Sequence, residues 1–251
     1  MALPFGLVVG SFMTVVISRV PAKGSLVRPR SRCPSCGTPI RNRDNVPVIS
    51  WLLLRGRCRA CGARISFEYP LVELSVAALV VAAVARYESL WQGIMVALLL
   101  SMMPAIAIID IRHRIIPNRL MYPTLVGFPV YVVVGWLLGG ALDPARAAIG
   151  LLAFGGGLLV VAMVSRGMGM GDVKLAGVLG VAFGAIGLGD VAVAAAAAVV
   201  FGGLGGVVAL VMGRGRKSAI PFGPYLAGGG VVAAFWGPQL AHWYLRMFVP
   251  A

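Results

Sequence analysis

The sequence predicts an all-α polytopic membrane protein of about eight transmembrane helices, with a small cytoplasmic insert between the first two. Three observations predict it. Hydrophobic residues make up 59% of the 251 positions and charged residues only 12%, where a soluble domain of this size carries about 25% charged residues. The mean hydropathy is +0.92, and the apolar character runs to the C-terminus. The charge that does exist is gathered into a few short stretches rather than spread along the chain.

Segments of roughly 17–25 apolar residues are needed to span a bilayer. Eight candidates stand out, at about 3–20, 70–87, 92–110, 121–140, 147–164, 174–189, 191–212 and 222–245. The sixth is short and glycine-rich. The first lacks the basic start of a cleaved leader, and its positive charges follow it from Arg19 onward. That order favours an N-terminus outside and the next loop inside. The chain then divides into a first transmembrane helix (1–20), a cytoplasmic four-cysteine piece (21–69) and a transmembrane bundle (70–251).

The net charge of +14 suggests nucleic acid on a soluble protein. Here its position explains it. With eight spans and the N-terminus outside, 19 of the 22 Lys and Arg fall in cytoplasmic stretches. Arg19, Lys23 and nine further arginines lie in or beside the first loop. Arg112, Arg114 and Arg119 lie in the second, Arg166 and Lys174 at the third, and Arg214, Arg216 and Lys217 in the fourth. The positive-inside rule uses this charge, with attraction to anionic lipid as a secondary effect, and no nucleic-acid partner is expected.

The piece at 21–69 is too small for a hydrophobic core of its own and needs a staple. All four cysteines lie in it, as Cys33-Pro-Ser-Cys36 and Cys58-Arg-Ala-Cys61. Each pair forms a turn that aims two thiolates at one ion, and two such turns complete a tetrahedral zinc site. Gly37 and Gly62 follow the pairs, as tight turns favour. A cytoplasmic location disfavours disulfides, and no βαβ pattern supports a redox motif. Four protein ligands leave no open position, so the expected zinc is structural.

Eight acidic residues remain to carry chemistry. Asp143, Asp190 and Glu88 read as solvated turn or loop residues at outside connections, and Asp44 belongs to the cysteine piece. Glu68 and Glu73 flank the start of the second span. Glu73 lies one turn inside, where an ionisable residue is expensive. It reads equally as a substrate contact or as a buried partner of a loop arginine. Asp110 ends the third span and Asp172 follows the break Gly167-Met-Gly169-Met-Gly171, which places both at the cytoplasmic boundary. The glycine run is no Walker loop and no dinucleotide fingerprint. Flexible backbone beside an aspartate suits a substrate cleft. Gly169, Gly171, Lys174 and Glu73 are the candidate supporting residues. No nucleophile elbow or His-Glu-x-x-His motif competes. The two-aspartate reading makes Asp172 the ionised member, at a helix start with Lys174 nearby, and Asp110 the protonated one, at a helix end.

These residues carry a resemblance. Gly10-Ser-Phe12 with Arg19 and Pro21, both cysteine pairs, Asp44-Asn-Val-Pro47 through Ser50-Trp51, and Tyr69-Pro-Leu-Val-Glu73 all fit it. So do Asp110 through Pro117-Asn118, Gly169-Met-Gly171-Asp172-Val-Lys174 and Ile220-Pro-Phe-Gly-Pro-Tyr225. Together they resemble the prepilin peptidases, intramembrane aspartic proteases of the Gly-x-Gly-Asp kind, over nearly the whole chain. The resemblance implies an enzyme of the bacterial inner membrane. It would cleave the basic leader from type IV prepilins or type II secretion pseudopilins, with Asp110 and Asp172 as the catalytic pair. It also implies N-methylation of the new terminus with S-adenosylmethionine, where that activity is retained. The competing readings are a membrane methyltransferase without protease activity, and a proton-coupled transporter using the two aspartates as a relay.

Overall fold

The computed structural model describes residues 1–165, 168–213 and 221–248. Arg166, Gly167, Arg214, Arg216, Lys217 and Ile220 of the sequence reading lie outside them. Among the described residues there is no strand, and the helices run in the expected order. They are α1 (Ala2–Arg19), α2 (Ile49–Leu53), α3 (Glu68–Arg86), α4 (Leu90–His113) and α5 (Asn118–Leu137), then α6 (Pro144–Gly150), a π-helical stretch (Leu151–Gly156) and α7 (Gly157–Ser165), and finally α8 (Met170–Gly184), α9 (Leu188–Val211) and α10 (Gly223–Phe248).

Each of the eight expected spans coincides with a helix. Among the described residues, six are long and apolar enough to cross a membrane: α1, α3, α4, α5, the continuous Pro144–Ser165 stretch and α9. The other two are α8 and α10. With 15 residues, α8 is about 22 Å long, short of a hydrocarbon core of about 30 Å. It is tolerated because it sits inside the bundle, where Leu175 to Gly184 are all buried. Helices α4, α5, α6, α7, α9 and α10 all touch it. A short helix is acceptable at membrane depth when protein rather than lipid surrounds it.

Small residues let these helices approach closely, as expected where lipid supplies no hydrophobic drive between them. A Cβ built on Gly150 would stand 2.1 Å from the Gly180 carbonyl oxygen, and one on Gly155 would stand 2.8 Å from Gly177 Cα. The π-helical stretch therefore lies where α6 and its continuation press backbone to backbone on α8. Helix α1 meets α3 in the same way, through Gly6 against Ala77 and Gly10 against Glu73. The proline-bearing α4, α5 and α10 stay helical through Pro104, Pro123, Pro129 and Pro238.

The chain between α1 and α3 forms a compact module. Trp51 anchors it, with its ring against Gly56, an edge contact to Phe67 and its indole N–H donated to the Ile65 carbonyl at 3.2 Å.

Among the acids, Asp143 behaves as expected. It caps α6 by accepting from the Ala145 and Arg146 amides. Asp190 departs from the solvated turn reading. It is 5% exposed, packed against Gly237 of α10 and within the field of the Arg86 charge. A glycine before it resembles a loop, but α9 starts at Leu188 and turns Asp190 inward.

Candidate active site

Asp110 lies in the last turn of α4, in a helix whose next residues end it. The amide of Arg114 returns to the Asp110 carbonyl, and Arg114 takes a left-handed conformation, φ +54°. The chain then turns, and Ile116 packs under the start of α8. A Cβ on Gly171 would stand 2.7 Å from Ile116 Cβ, so only glycine fits between the two segments at this point. One residue on, Asp172 occupies the first turn of α8. Its carboxylate is folded back on the Gly169 backbone, 3.2 Å from where a Cβ there would stand. Asp110 is buried, Asp172 is half-buried, and the charge of Asp110 is felt at Asp172. The fold thus brings together the two aspartates that the charge pattern placed on one face.

One element of the site was not anticipated. The backbone N–H of Gly223 donates to Asp110 Oδ2 at 2.8 Å. Gly223 is the first residue of α10, followed by Pro224, which has no N–H. The first amides of a helix have no partner within it, and this one is satisfied by the aspartate. The Gly-Pro pair after Phe222 is the sequence feature that could have marked a helix start there.

This contact removes the basis for assigning the charge to Asp172. Asp110 is at the end of its own helix, yet its carboxylate faces the positive end of another. Both carboxylates therefore face helix N-termini, where the dipole favours negative charge.

Lys174 does not sit against Asp172. Its ammonium donates to Asn118 Oδ1 at 2.7 Å and to the Tyr122 hydroxyl at 3.1 Å, and lies 4.5 Å from the centre of the Tyr122 ring. It ties α8 to the start of α5. Among the described residues, Glu73 has neither an arginine partner nor a hydrogen bond to the dyad. It is 7% exposed and accepts the Val48 backbone N–H at 2.7 Å and a bond from Ser11. The arginine pairing goes to its neighbour: Glu68 binds Arg112, with Nη1 to Oε1 at 3.0 Å.

The four cysteines form the second centre. Two matching turns carry them. The amides of Gly37 and Gly62 each return at 2.9 Å to the carbonyls of Cys33 and Cys58, with φ +69° and +72° at the glycines. All four sulfurs lie within 4.8 Å of one another, and Cys33 Sγ is 3.9 Å from Cys61 Sγ. A zinc ion with sulfurs at about 2.3 Å places them about 3.8 Å apart, so the thiol set fits a tetrahedral ion. Hydrogen bonding with the Thr38 side chain and backbone draws the Cys36 thiol down to about 6. The Cys61 and Ala60 backbone lowers Cys58. Cys61 has the Ala63 backbone favouring its thiolate, but its sulfur neighbours push it up to about 11. A bound cation would relieve that crowding of negative sulfur. Asp44 and Arg59 close the module through a two-pronged ion pair, Arg59 Nη2 to Asp44 Oδ1 at 2.7 Å and Nε to Oδ2 at 2.9 Å.

Comparison with known proteins gives two family matches. Residues 5–87 match the bacterial peptidase A24 N-terminal domain, and residues 97–213 match the type IV leader peptidase family. The first match contains the cysteines and Glu73, and the second contains both aspartates. Gly223 lies beyond each. Three similar proteins are called prepilin leader peptidase/N-methyltransferase. That of Aeromonas hydrophila is 37% identical, covering 98% of this chain and 93% of its own. That of Stutzerimonas stutzeri is 36% identical, covering 98% and 93%. That of Bacillus subtilis is 33% identical, covering 97% and 96%. No solved structure matches.

Proposed function

The chain belongs to the type IV leader peptidase family, and from that premise we propose that Asp110 and Asp172 are the catalytic pair of a prepilin leader peptidase. The enzyme is a membrane aspartic endopeptidase that removes the basic leader of type IV prepilins or type II secretion pseudopilins. It also N-methylates the residue left at the new terminus. The observation that supports the site assignment is the convergence of the helix ends of α4, α8 and α10, where Gly223 binds Asp110 and the charge of Asp110 is felt at Asp172.

Two carboxylates in contact repel when both are charged, so the pair works with one proton between them. The ionised member takes a proton from a water molecule, whose oxygen forms a bond to the scissile carbonyl carbon. The protonated member donates to the carbonyl oxygen, which holds the developing charge. Collapse of the tetrahedral carbon breaks the C–N bond, and the leaving amine takes a proton from the pair. Gly223 N–H holds Asp110 in place, and the Gly169 backbone holds Asp172. Neither member is marked as the fixed acid, because both face helix N-termini.

The orientation follows from charge. The N-terminus is outside, and the cysteine module and the aspartates face the cytoplasm of a bacterial inner membrane. Cys33, Cys36, Cys58 and Cys61 hold a structural zinc, which joins two turns of a module too small to fold on a hydrophobic core alone. The units are 1–20, 21–69 and 70–251, the last containing the peptidase chemistry. When bound, S-adenosylmethionine supplies the methyl group.

The test is incubation of the full-length protein in lipid with candidate prepilins and S-adenosylmethionine, read by mass spectrometry. A mass loss equal to the basic leader is expected. An intact precursor from every prepilin tested would contradict the reading.

A further inference from the structure

A short bridge of chain joins the supports of the two aspartates. Burial on the α4 side ends at Asp110. The next five residues, Ile111 to Ile115, are all exposed, and burial resumes at Ile116 and Pro117. Ile116 is the residue that packs against Gly171, the neighbour of Asp172. The bridge at 111–115 therefore runs from one carboxylate to the footing of the other. Little packing holds it. Arg114, within it, takes the left-handed conformation at φ +54°, which side chains other than glycine adopt at a cost.

Among the described residues, one side-chain hydrogen-bonded tie holds this bridge, and it belongs to Arg112. Its two terminal nitrogens bind the two carboxylate oxygens of Glu68, Nη1 to Oε1 at 3.0 Å and Nη2 to Oε2. A two-pronged guanidinium–carboxylate pair fixes direction as well as distance. Glu68 is the first residue of α3, where the helix dipole favours its charge. Both side chains line a cavity of about 220 Å³, with Thr14, Ile17 and Ser18 of α1, so the pair spans a gap that apolar packing does not fill. Lys174 makes the matching tie on the other side. Like Arg112, it follows its aspartate by two residues, and it binds Asn118, which starts α5 just past the bridge.

We propose that Glu68 and Arg112 are positioning residues for leader cleavage: the pair clamps the bridge to α3 and thereby sets the spacing of Asp110 and Asp172. The inference rests on the leader-peptidase reading above. Among the described residues, neither side chain has a hydrogen bond to the aspartates, so both act through the backbone that joins them. Both are partly exposed, and pairs of that kind add little to folding stability. Reacting groups are less forgiving, since a misplacement of about 1 Å costs about 100-fold in rate. Loss of the pair therefore leaves the fold nearly unchanged and slows the chemical step. A direct contact between Glu68 and the basic leader would act on KM instead.

The experiment measures kcat and KM for leader cleavage by full-length protein in lipid nanodiscs, with a prepilin substrate. In Glu68→Gln and in Arg112→Gln, kcat is expected to fall about 10- to 30-fold, with KM within about twofold of wild type. Zinc content and melting temperature should match wild type. The double Gln variant should be no slower than either single one, because the two residues act as one unit. The exchanged pair, Glu68→Arg with Arg112→Glu, puts opposite charges back across the same gap. It should restore kcat to within about threefold of wild type, while each reversed single variant stays slow. Unchanged kcat in both Gln variants, a raised KM at unchanged kcat, or additive losses in the double variant overturns the inference. So does an exchanged pair as slow as the single variants, or a fall in melting temperature that accounts for the lost activity. A wild type that fails to cleave overturns the peptidase reading instead, and the inference with it.

Discussion

The backbone N–H of Gly223 holds Asp110 Oδ2 at 2.8 Å, so a carboxylate at the end of one helix is positioned by the start of another. A Cβ at Gly223 would stand 2.8 Å from that oxygen and 3.1 Å from Asp110 Cβ. The carboxylate is the free end of a side chain and can swing aside, so Gly223→Ala should still fold. It should lose the hydrogen bond and displace Asp110. Leader cleavage is expected to fall by about 10- to 100-fold, with zinc content and thermal stability close to wild type. Unchanged cleavage kinetics would show that the Gly223 contact does not position the pair.

The contact between Gly150 and Gly180 makes the opposite prediction. Here the obstacle is backbone, with a Cβ on Gly180 only 2.2 Å from the Gly150 carbonyl oxygen. Gly180→Ala must push α6 away from α8. A loss of roughly 1–3 kcal/mol is expected, read as a lower melting temperature in detergent. Activity should fall with the folded fraction rather than ahead of it.

The cysteine centre should contain one zinc per chain by elemental analysis. Thiolates bind metal and thiols do not, so acidification or chelation should release it. Loss of metal should expose residues 30–66 to protease while the helical bundle persists. Cys58→Ser should reproduce that pattern without chelator. Zinc-free wild type with four intact thiols would contradict the centre.

Asp44 is held below the usual carboxylate range by the hydrogen bond and charge of Arg59. A depressed folded value means that the contribution is present above the unfolded value of about 3.9 and is lost as pH falls through the folded one. At neutral pH, Asp44→Asn should therefore release zinc to a chelator faster than wild type. Because Arg59 is exposed to solvent, that difference should shrink at high salt.

Hydropathy and the position of Lys and Arg located the long helices behind the eight expected spans, because lipid leaves backbone few alternatives to helix. The cysteine spacing located the thiol centre for a similar reason, since two identical turns carry it locally. Scarcity of acid singled out Asp110 and Asp172. Three features were not readable, and each depends on packing between distant segments. Asp190 is buried because α10 presents Gly237 to it. Lys174 turns to Asn118 and Tyr122 because α8 lies against α5. Asp110 faces a helix N-terminus because α10, more than a hundred residues later, begins beside it. Glu73 accepts a backbone amide, and charge pattern cannot report backbone amides.

The central claim is that Asp110 and Asp172 act as one unit. Its most direct measurement is cleavage of a prepilin by the separate Asp110→Asn and Asp172→Asn proteins in lipid, followed by mass spectrometry. Each substitution keeps size and removes the shared proton chemistry. Each should reduce cleavage by about 1,000-fold or more, and the double variant should be little worse than either single one. Near-normal cleavage by either single variant would contradict the account.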